Sequence, residues 1–216
     1  IGDPDGDGAL DAYELLGLWW NLDKHPDGVP YTVNPLGGLW YGLSTKAVVT
    51  EIKAALENWD LAVDYENYES YKTIYRVELY GDEVVVDYLA RASTRYPDYK
   101  NVITWDRLRP GIVAVASIWY VSETGEVVDA DIVLNYLYRW GIDPDDEGGA
   151  ELSHAFDIQN VVTHEAGHWT GLADLYNEKY SEMTMYGYTE YGEVKKISLE
   201  PGDIAGAQKV YEGWRK

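Results

Sequence analysis

Two of the four histidines in the chain, His164 and His168, lie four residues apart within the stretch HEAGHWTGLAD. On a helix this spacing directs both imidazoles to one face, where their nitrogens can bind one metal ion. Glu165 follows the first histidine and can reach a water molecule at the metal without being a ligand itself. Gly171 permits the positive φ angle that ends a helix and turns the chain back. Asp174 is therefore the expected third ligand.

The sequence also predicts where the helix that carries these residues begins and which of its faces is apolar. Asp157 is a suitable N-cap, and Ile158, Val162 and Trp169 can pack on the face opposite the histidines. The chain has no cysteine, so a metal must be bound by His, Asp, Glu or carbonyl oxygen. These features predict a metal site with histidine and carboxylate ligands.

The stretch HEAGHWTGLAD resembles the extended zinc motif HExxHxxGxxH of the metzincin metalloproteases. Aspartate stands where most members have a third histidine, as in the snapalysin-like branch, and the context is most similar to matrixins. The family also has a methionine-containing turn beneath the metal. The stretch SEMTMYGY supplies Met185 for this turn, with Met183 as the alternative.

The resemblance implies a secreted zinc endopeptidase that hydrolyses peptide bonds with a zinc-activated water and Glu165 as the general base. The zinc ligands would be His164, His168 and Asp174. Astacins and serralysins carry a tyrosine near the zinc after the methionine turn. By this similarity Tyr188 would stabilise the oxyanion, with Tyr186 as the competing residue.

The resemblance extends in weaker form over residues 29–216 and implies an α+β fold. Such a domain has a twisted mixed sheet, a backing helix, an active-site helix and a C-terminal helix. Apolar residues at helical spacing predict the backing helix over residues 45–63, with Ser44 as its N-cap. Residues 199–211 resemble the C-terminal helix.

Several stretches have the composition of β-strands. Strands are predicted at residues 102–105, 111–121 and 126–136. Two further runs, residues 74–80 and 83–89, flank Gly81-Asp82 and predict a β-hairpin. We expect an extended protein or peptide substrate to pair with residues 131–135 by β-augmentation. The segment around residues 189–192 would then form the wall that sets the side-chain preference.

The first residues of the chain match a calcium-binding loop. Residues 3–14 read DPDGDGALDAYE, which fills the ligand positions of the EF-hand pattern and places Gly8 at the sharp turn. The expected calcium ligands are Asp3, Asp5, Asp7, Ala9, Asp11 and Glu14. This loop resembles the solitary calcium loops of secreted proteins and dockerin-type modules. Residues 10–21 would form the following helix, so residues 1–28 are interpreted as a calcium loop, helix and linker, before the catalytic domain at 29–216.

Charge and composition narrow the range of partners. The chain of 216 residues carries 17 Lys plus Arg against 38 Asp plus Glu, a net charge of -21. This charge repels phosphate backbones, so we expect no nucleic-acid partner. The longest apolar run, residues 111–121, is too short to span a membrane. Because the chain begins at Ile1 rather than Met, we interpret it as a processed mature form or an excised piece from which a signal peptide or pro-segment has been lost. The calcium loop and the family resemblance imply an extracellular or cell-surface location.

Two other interpretations fit parts of the sequence. In a gluzincin arrangement the third zinc ligand would be a glutamate farther downstream, either Glu190 or Glu193. From a different class, the chain would be a catalytically silent, calcium-stabilised extracellular binding module. The intact Glu165 argues against a silent module, because such a domain gains nothing from that carboxylate.

Overall fold

The computed structural model describes residues 12–67, 72–73, 78–145, 148 and 152–213. In chain order, its strands and helices are β1 (Trp19–Trp20), β2 (Thr32–Val33), α1 (Leu36–Leu39), α2 (Thr45–Asp64), β3 (Tyr65–Asn67), β4 (Lys72–Thr73), β5 (Val85–Val86), β6 (Val102–Asp106), β7 (Ala114–Tyr120), β8 (Glu126–Asn135), β9 (Trp140–Gly141), β10 (Phe156–Asp157), α3 (Ile158–Thr170) and α4 (Pro201–Tyr211). The combination of helices with a curled sheet confirms the predicted α+β class.

Helix α2 is the predicted backing helix, and it begins where its cap residue predicts. The Ser44 Oγ accepts the Ala47 N–H at 3.1 Å. The helix buries one apolar stripe, formed by Val48, Ile52, Ala55, Leu56, Trp59 and Val63. The Trp59 Nε1 donates to the Thr163 carbonyl at 2.9 Å, which ties α2 to α3. The prediction over residues 45–63 is thus confirmed.

The central sheet has the strand order β1-β8-β6-β2-β5, with β7 paired to the other side of β8. Every pair in this sheet is parallel except β7 with β8, which is antiparallel. Strand β8 is therefore internal, and residues 131–134 already pair with both β6 and β7, while Asn135 pairs with β6. The expectation that these residues bind the substrate is wrong, because their backbone groups are used inside the sheet. Among the described strands, β7 pairs with β8 alone and forms one edge of the sheet.

The hairpin predicted around Gly81-Asp82 is also wrong in the part that the structure describes. Tyr80 bridges Val29 in parallel, and β5 pairs in parallel with β2. Both apolar runs therefore follow the same neighbouring segment instead of pairing with each other. The Asp60 carboxylate holds the first run by accepting the Leu79 and Tyr80 N–H groups at 2.7 and 3.0 Å. Residues 74–77 lie outside the described residues.

The helix predicted over residues 10–21 is absent from the described residues 12–21, which are extended. Leu15 bridges Leu172, Gly17 has a φ angle of 73°, and β1 pairs in parallel with β8. The segment is extended because its backbone groups bond to distant parts of the chain rather than to a helical turn. Residues 1–11, with the predicted ligands Asp3, Asp5, Asp7, Ala9 and Asp11, lie outside the described residues.

Helix α4 confirms the C-terminal helix expected over residues 199–211. Pro201 occupies the first turn, and Glu200 with Asp203 forms a reciprocal capping box. The Gln208 Nε2 donates to the Ala62 carbonyl at 2.8 Å, so α4 is fastened to the end of α2. None of the helices in the described ranges is long and apolar enough to cross a membrane.

Candidate active site

Helix α3 carries the predicted metal-binding residues and has the predicted ends. The Asp157 Oδ1 accepts the Asn160 N–H at 2.7 Å, so Asp157 is the N-cap. Gly171 ends the helix with a φ angle of 109°. A β-carbon at this position would lie 2.5 Å from the Leu18 carbonyl oxygen. Both the positive φ angle and this close approach restrict position 171 to glycine. The chain then turns towards Asp174.

The structure brings His164, His168 and Asp174 together. The Asp174 Oδ1 lies 3.2 Å from the His164 Nε2 and 3.6 Å from the His168 Nε2. The possible ligand atoms of the three residues all lie within 4.8 Å of one another. Within the described ranges, no other three His, Cys, Asp or Glu side chains meet so closely. The spacing of four residues on a helix thus produces the expected convergence.

Backbone carbonyls orient both imidazoles. The His164 Nδ1 lies 2.7 Å from the Thr184 carbonyl, and the His168 Nδ1 lies 2.8 Å from the Leu172 carbonyl. Because a carbonyl can only accept, each Nδ1 carries a proton, so Nε2 is the ring nitrogen that can bind a metal. Both Nε2 atoms face Asp174. This donor set, with the opposite ring nitrogens held by carbonyls, fits Zn²⁺ bound by three protein ligands.

The third donor, Asp174, is ionised and held by a further residue. Burial raises the pKa of the Asp174 carboxyl, but the neighbouring His164 and His168 outweigh this effect and lower it to about 2. The Tyr176 hydroxyl donates to the Asp174 Oδ2 at 2.8 Å. Sequence reasoning missed Tyr176, although its position two residues after the third ligand was a visible signal. Tyr176 leaves the Oδ1 atom free to face the histidines.

Glu165 lies in the cleft with 6 % of its surface exposed. Burial raises the pKa of its carboxyl to about 7, against the lowering effects of His168 and of a hydrogen bond from the Ala116 N–H. A carboxyl that gains and loses its proton near neutral pH is suited to general acid–base catalysis.

Met185 lies beneath α3, and its side chain packs against Gly167, which has no β-carbon. A β-carbon on Gly167 would lie 2.2 Å from the Met185 sulfur. The buried Asp203 of α4 holds this turn by accepting the Thr184 N–H at 3.0 Å and the Met185 N–H at 3.3 Å. Since the Thr184 carbonyl faces His164, Asp203 positions a predicted ligand through the backbone. The sequence showed an acidic residue in the first turn of a helix but not its target.

The cleft above these residues has a volume of about 630 Å³. Residues 111–116 and Ile118 line one side, and residues 186–189 line the other. The Tyr188 ring lies edge-on to Tyr186 and Tyr176, with centroids 5.4 and 5.8 Å apart. All three tyrosines line the cleft, and the Tyr176 hydroxyl is the one that bonds Asp174.

A buried lysine supports the wall opposite β7. Lys196 is 1 % exposed and donates from Nζ to the Tyr188 carbonyl at 2.8 Å and to Glu193 Oε1 at 2.5 Å. Burial lowers the pKa of Lys196, while Glu193 acts in the opposite direction. The Glu193 Oε1 also accepts the Thr189 hydroxyl at 3.1 Å. Glu193 is therefore part of this wall and, like the exposed Glu190, does not join the two histidines.

The fold and the site together define a class of protein. A helix with two convergent histidines and a buried glutamate, an acidic third donor after a glycine turn, and an edge strand along the cleft are the features of a zinc metallopeptidase. The sequence profile of the matrixin family matches residues 40–212, so the chain belongs to the matrixin family.

A similarity to a named protein agrees with this family. The chain is 24 % identical over 194 residues to metalloendoproteinase 1-MMP of Arabidopsis thaliana. The aligned region covers 89 % of this chain and 44 % of that relative, so the chain spans less than half of the relative's length. Family and relative together support a zinc metalloprotease in general.

Proposed function

We propose that the protein is a secreted, zinc-dependent endopeptidase that binds zinc through His164, His168 and Asp174. The observation that carries this proposal is the approach of both Nε2 atoms to one Asp174 oxygen, at 3.2 and 3.6 Å. When bound, zinc supplies Lewis-acid chemistry that activates water at neutral pH and polarises a peptide carbonyl. The donor types and the held Nδ1 atoms support zinc over calcium or magnesium, which prefer oxygen ligands alone.

Glu165 is proposed as the general base. Its carboxylate accepts a proton from the attacking water and then delivers that proton to the nitrogen of the leaving amine, so the residue returns to its starting state. Burial supports this role, because it raises the pKa of the Glu165 carboxyl and so favours acceptance of a proton from water. Tyr188 is retained as the proposed oxyanion donor, with Tyr186 as its competitor, because both side chains line the cleft.

An extended peptide is the proposed substrate, and β7 replaces residues 131–135 as its pairing partner. Strand β7 lines the cleft along the side that faces Glu165. An antiparallel peptide beside this edge would bind through main-chain hydrogen bonds, which suit many sequences. The wall at residues 189–192 is proposed to set the preference on the opposite side of the cleft.

Structural calcium in the N-terminal loop is also proposed. The ligand pattern of residues 3–14 carries this proposal, and the position of Glu14 supports a structural role. The Glu14 carbonyl accepts the Ala173 N–H at 2.8 Å, next to Asp174. Calcium at this loop would therefore fix a segment that touches the proposed zinc site. A calcium site of this kind fits the proposed extracellular location.

Casein cleavage tests the proposed activity directly. Wild type, Glu165→Gln and the control Glu190→Gln are loaded with zinc and calcium, and bound zinc is measured in the same samples. We expect Glu165→Gln to keep zinc and lose about 10²- to 10⁴-fold in rate, as removal of a general base does. Glu190→Gln should retain zinc, because Glu190 does not join the two histidines. Zinc binding without turnover in wild type would favour the silent binding module, and zinc loss in Glu190→Gln would favour the gluzincin arrangement.

A further inference from the structure

The extended N-terminal segment, residues 12–20, is fastened to the turn that carries the third proposed ligand. The Leu16 N–H donates to the Gly171 carbonyl at 2.8 Å, and the Ala173 N–H donates to the Glu14 carbonyl at 2.8 Å. Leu15 bridges Leu172 between these two bonds in antiparallel fashion. This end of the segment is thus held beside the proposed zinc site.

The other end of the segment is fastened to the turn between β7 and β8. The Trp19 N–H donates to the Gly125 carbonyl at 3.1 Å, and its indole Nε1 donates to the Thr124 carbonyl at 3.0 Å. Trp20 is 1 % exposed, and its N–H donates to the Tyr211 hydroxyl at 3.3 Å. The segment therefore spans from the zinc-side turn to the end of the edge strand.

Leu16 and Leu18 of this segment line the cleft together with Ile118 of β7. Leu16 is 41 % exposed, so part of its apolar side chain is available at the cleft surface. Leu15 has a similar exposed fraction, 39 %, but it does not line the cleft. Exposed apolar surface that lines a substrate cleft is suited to receiving an apolar side chain.

The position of Glu165 relates this apolar surface to the peptide bond that would be cut. Ala116 of β7 and Glu165 line the same cleft, so we place the reacting bond beside this part of β7. Ile118 lies two residues further towards the C-terminal end of β7. A peptide antiparallel to β7 places the residues that precede the scissile bond at that end.

We propose that Leu16 and Leu18 form a subsite for an apolar substrate side chain on the N-terminal side of the scissile bond. The favoured residues are leucine, methionine and phenylalanine, and acidic residues are disfavoured because nothing apolar in this subsite can replace their hydration. This inference rests on the proposed endopeptidase function. It makes the N-terminal segment part of the substrate site rather than only an attachment for calcium.

Peptides that differ only in the residues preceding the scissile bond test this subsite. The values of kcat/KM are measured for leucine- and serine-containing peptides with wild type, Leu16→Ala, Leu16→Met and the matched control Leu15→Ala. We expect the leucine-over-serine preference to fall about tenfold in Leu16→Ala and to persist in Leu16→Met and Leu15→Ala. An unchanged preference in Leu16→Ala, or an equal loss in Leu15→Ala, would overturn the proposal.

A binding measurement separates failure of the subsite from failure of the proposed activity. Fluorescein-labelled forms of the same peptides are titrated into zinc-loaded Glu165→Gln with and without Leu16→Ala, and anisotropy gives the dissociation constants. We expect Leu16→Ala to weaken the leucine peptide about tenfold and to leave the serine peptide unchanged. Equal binding of both peptides would refute the subsite. Selective binding with no cleavage by wild type would instead refute the activity.

Discussion

Replacement of Tyr176 by phenylalanine removes one hydrogen bond to a proposed zinc ligand and nothing else. The hydroxyl donates to the Asp174 Oδ2 at 2.8 Å. A hydrogen bond to a charged group contributes about 1.5 to 3 kcal/mol. Tyr176 is 63 % exposed, so water replaces part of the lost bond and the lower value applies. About 1.5 kcal/mol corresponds to roughly a tenfold weaker zinc affinity, at the lower end for outer-shell partners.

Competition with a chromophoric chelator measures this affinity without relying on turnover. Wild type, Tyr176→Phe and Tyr188→Phe are compared at one pH and one calcium concentration. Tyr188 is a matched control because it is 60 % exposed, in the same aromatic cluster. We expect only Tyr176→Phe to raise the zinc dissociation constant, by about tenfold. Equal constants for wild type and Tyr176→Phe, or equal losses in both variants, would refute the role of Tyr176.

Three further predictions concern the support of the site. Gly167→Ala should lower stability by about 1 to 3 kcal/mol in urea unfolding, because the new β-carbon overlaps the Met185 sulfur; wild-type stability would contradict this steric account. Lys196→Met should remove the closer of the two lysines that pair with Glu193 and the bond to the Tyr188 carbonyl, so KM should rise more than kcat falls; a loss confined to kcat would contradict this. Burial raises the pKa of Asp131 to about 7. Between pH 4 and 7 the folded state therefore holds a proton that the unfolded state releases, so this stabilising contribution is full below pH 4 and is lost as the pH rises towards 7. Urea unfolding of wild type and Asp131→Asn at pH 4, 5.5 and 7 measures this effect. The free energy of unfolding of wild type, relative to that of the variant, should fall as the pH rises, and a relative increase with pH would contradict the prediction.

The features that sequence predicted correctly are those with local causes. Helix α2 follows from its apolar spacing and the Ser44 cap, and helix α3 follows from Asp157 and Gly171. The convergence of His164, His168 and Asp174 also needs only a helix and one turn. Short-range geometry is therefore enough to find the candidate metal site.

The features that sequence missed depend on the choice of distant partners. The strand character of residues 83–89 was visible, but their pairing with β2 rather than with residues 74–80 was not. The apolar residues 15–20 are compatible with either a helix or a strand. Their hydrogen bonds to Gly171 and Gly125 stabilise the extended form. The edge position of β7 likewise depends on the strand order of the whole sheet.

X-ray absorption at the zinc edge tests the central claim most directly. Wild type and Asp174→Ala are loaded with one equivalent of zinc in the presence of calcium. The account predicts two imidazole nitrogens and oxygen ligands at about 2.0 to 2.2 Å in wild type, and loss of a protein oxygen with weaker zinc binding in Asp174→Ala. Zinc that is bound without imidazole ligands, or an identical zinc environment in the two proteins, would contradict the assignment of His164, His168 and Asp174.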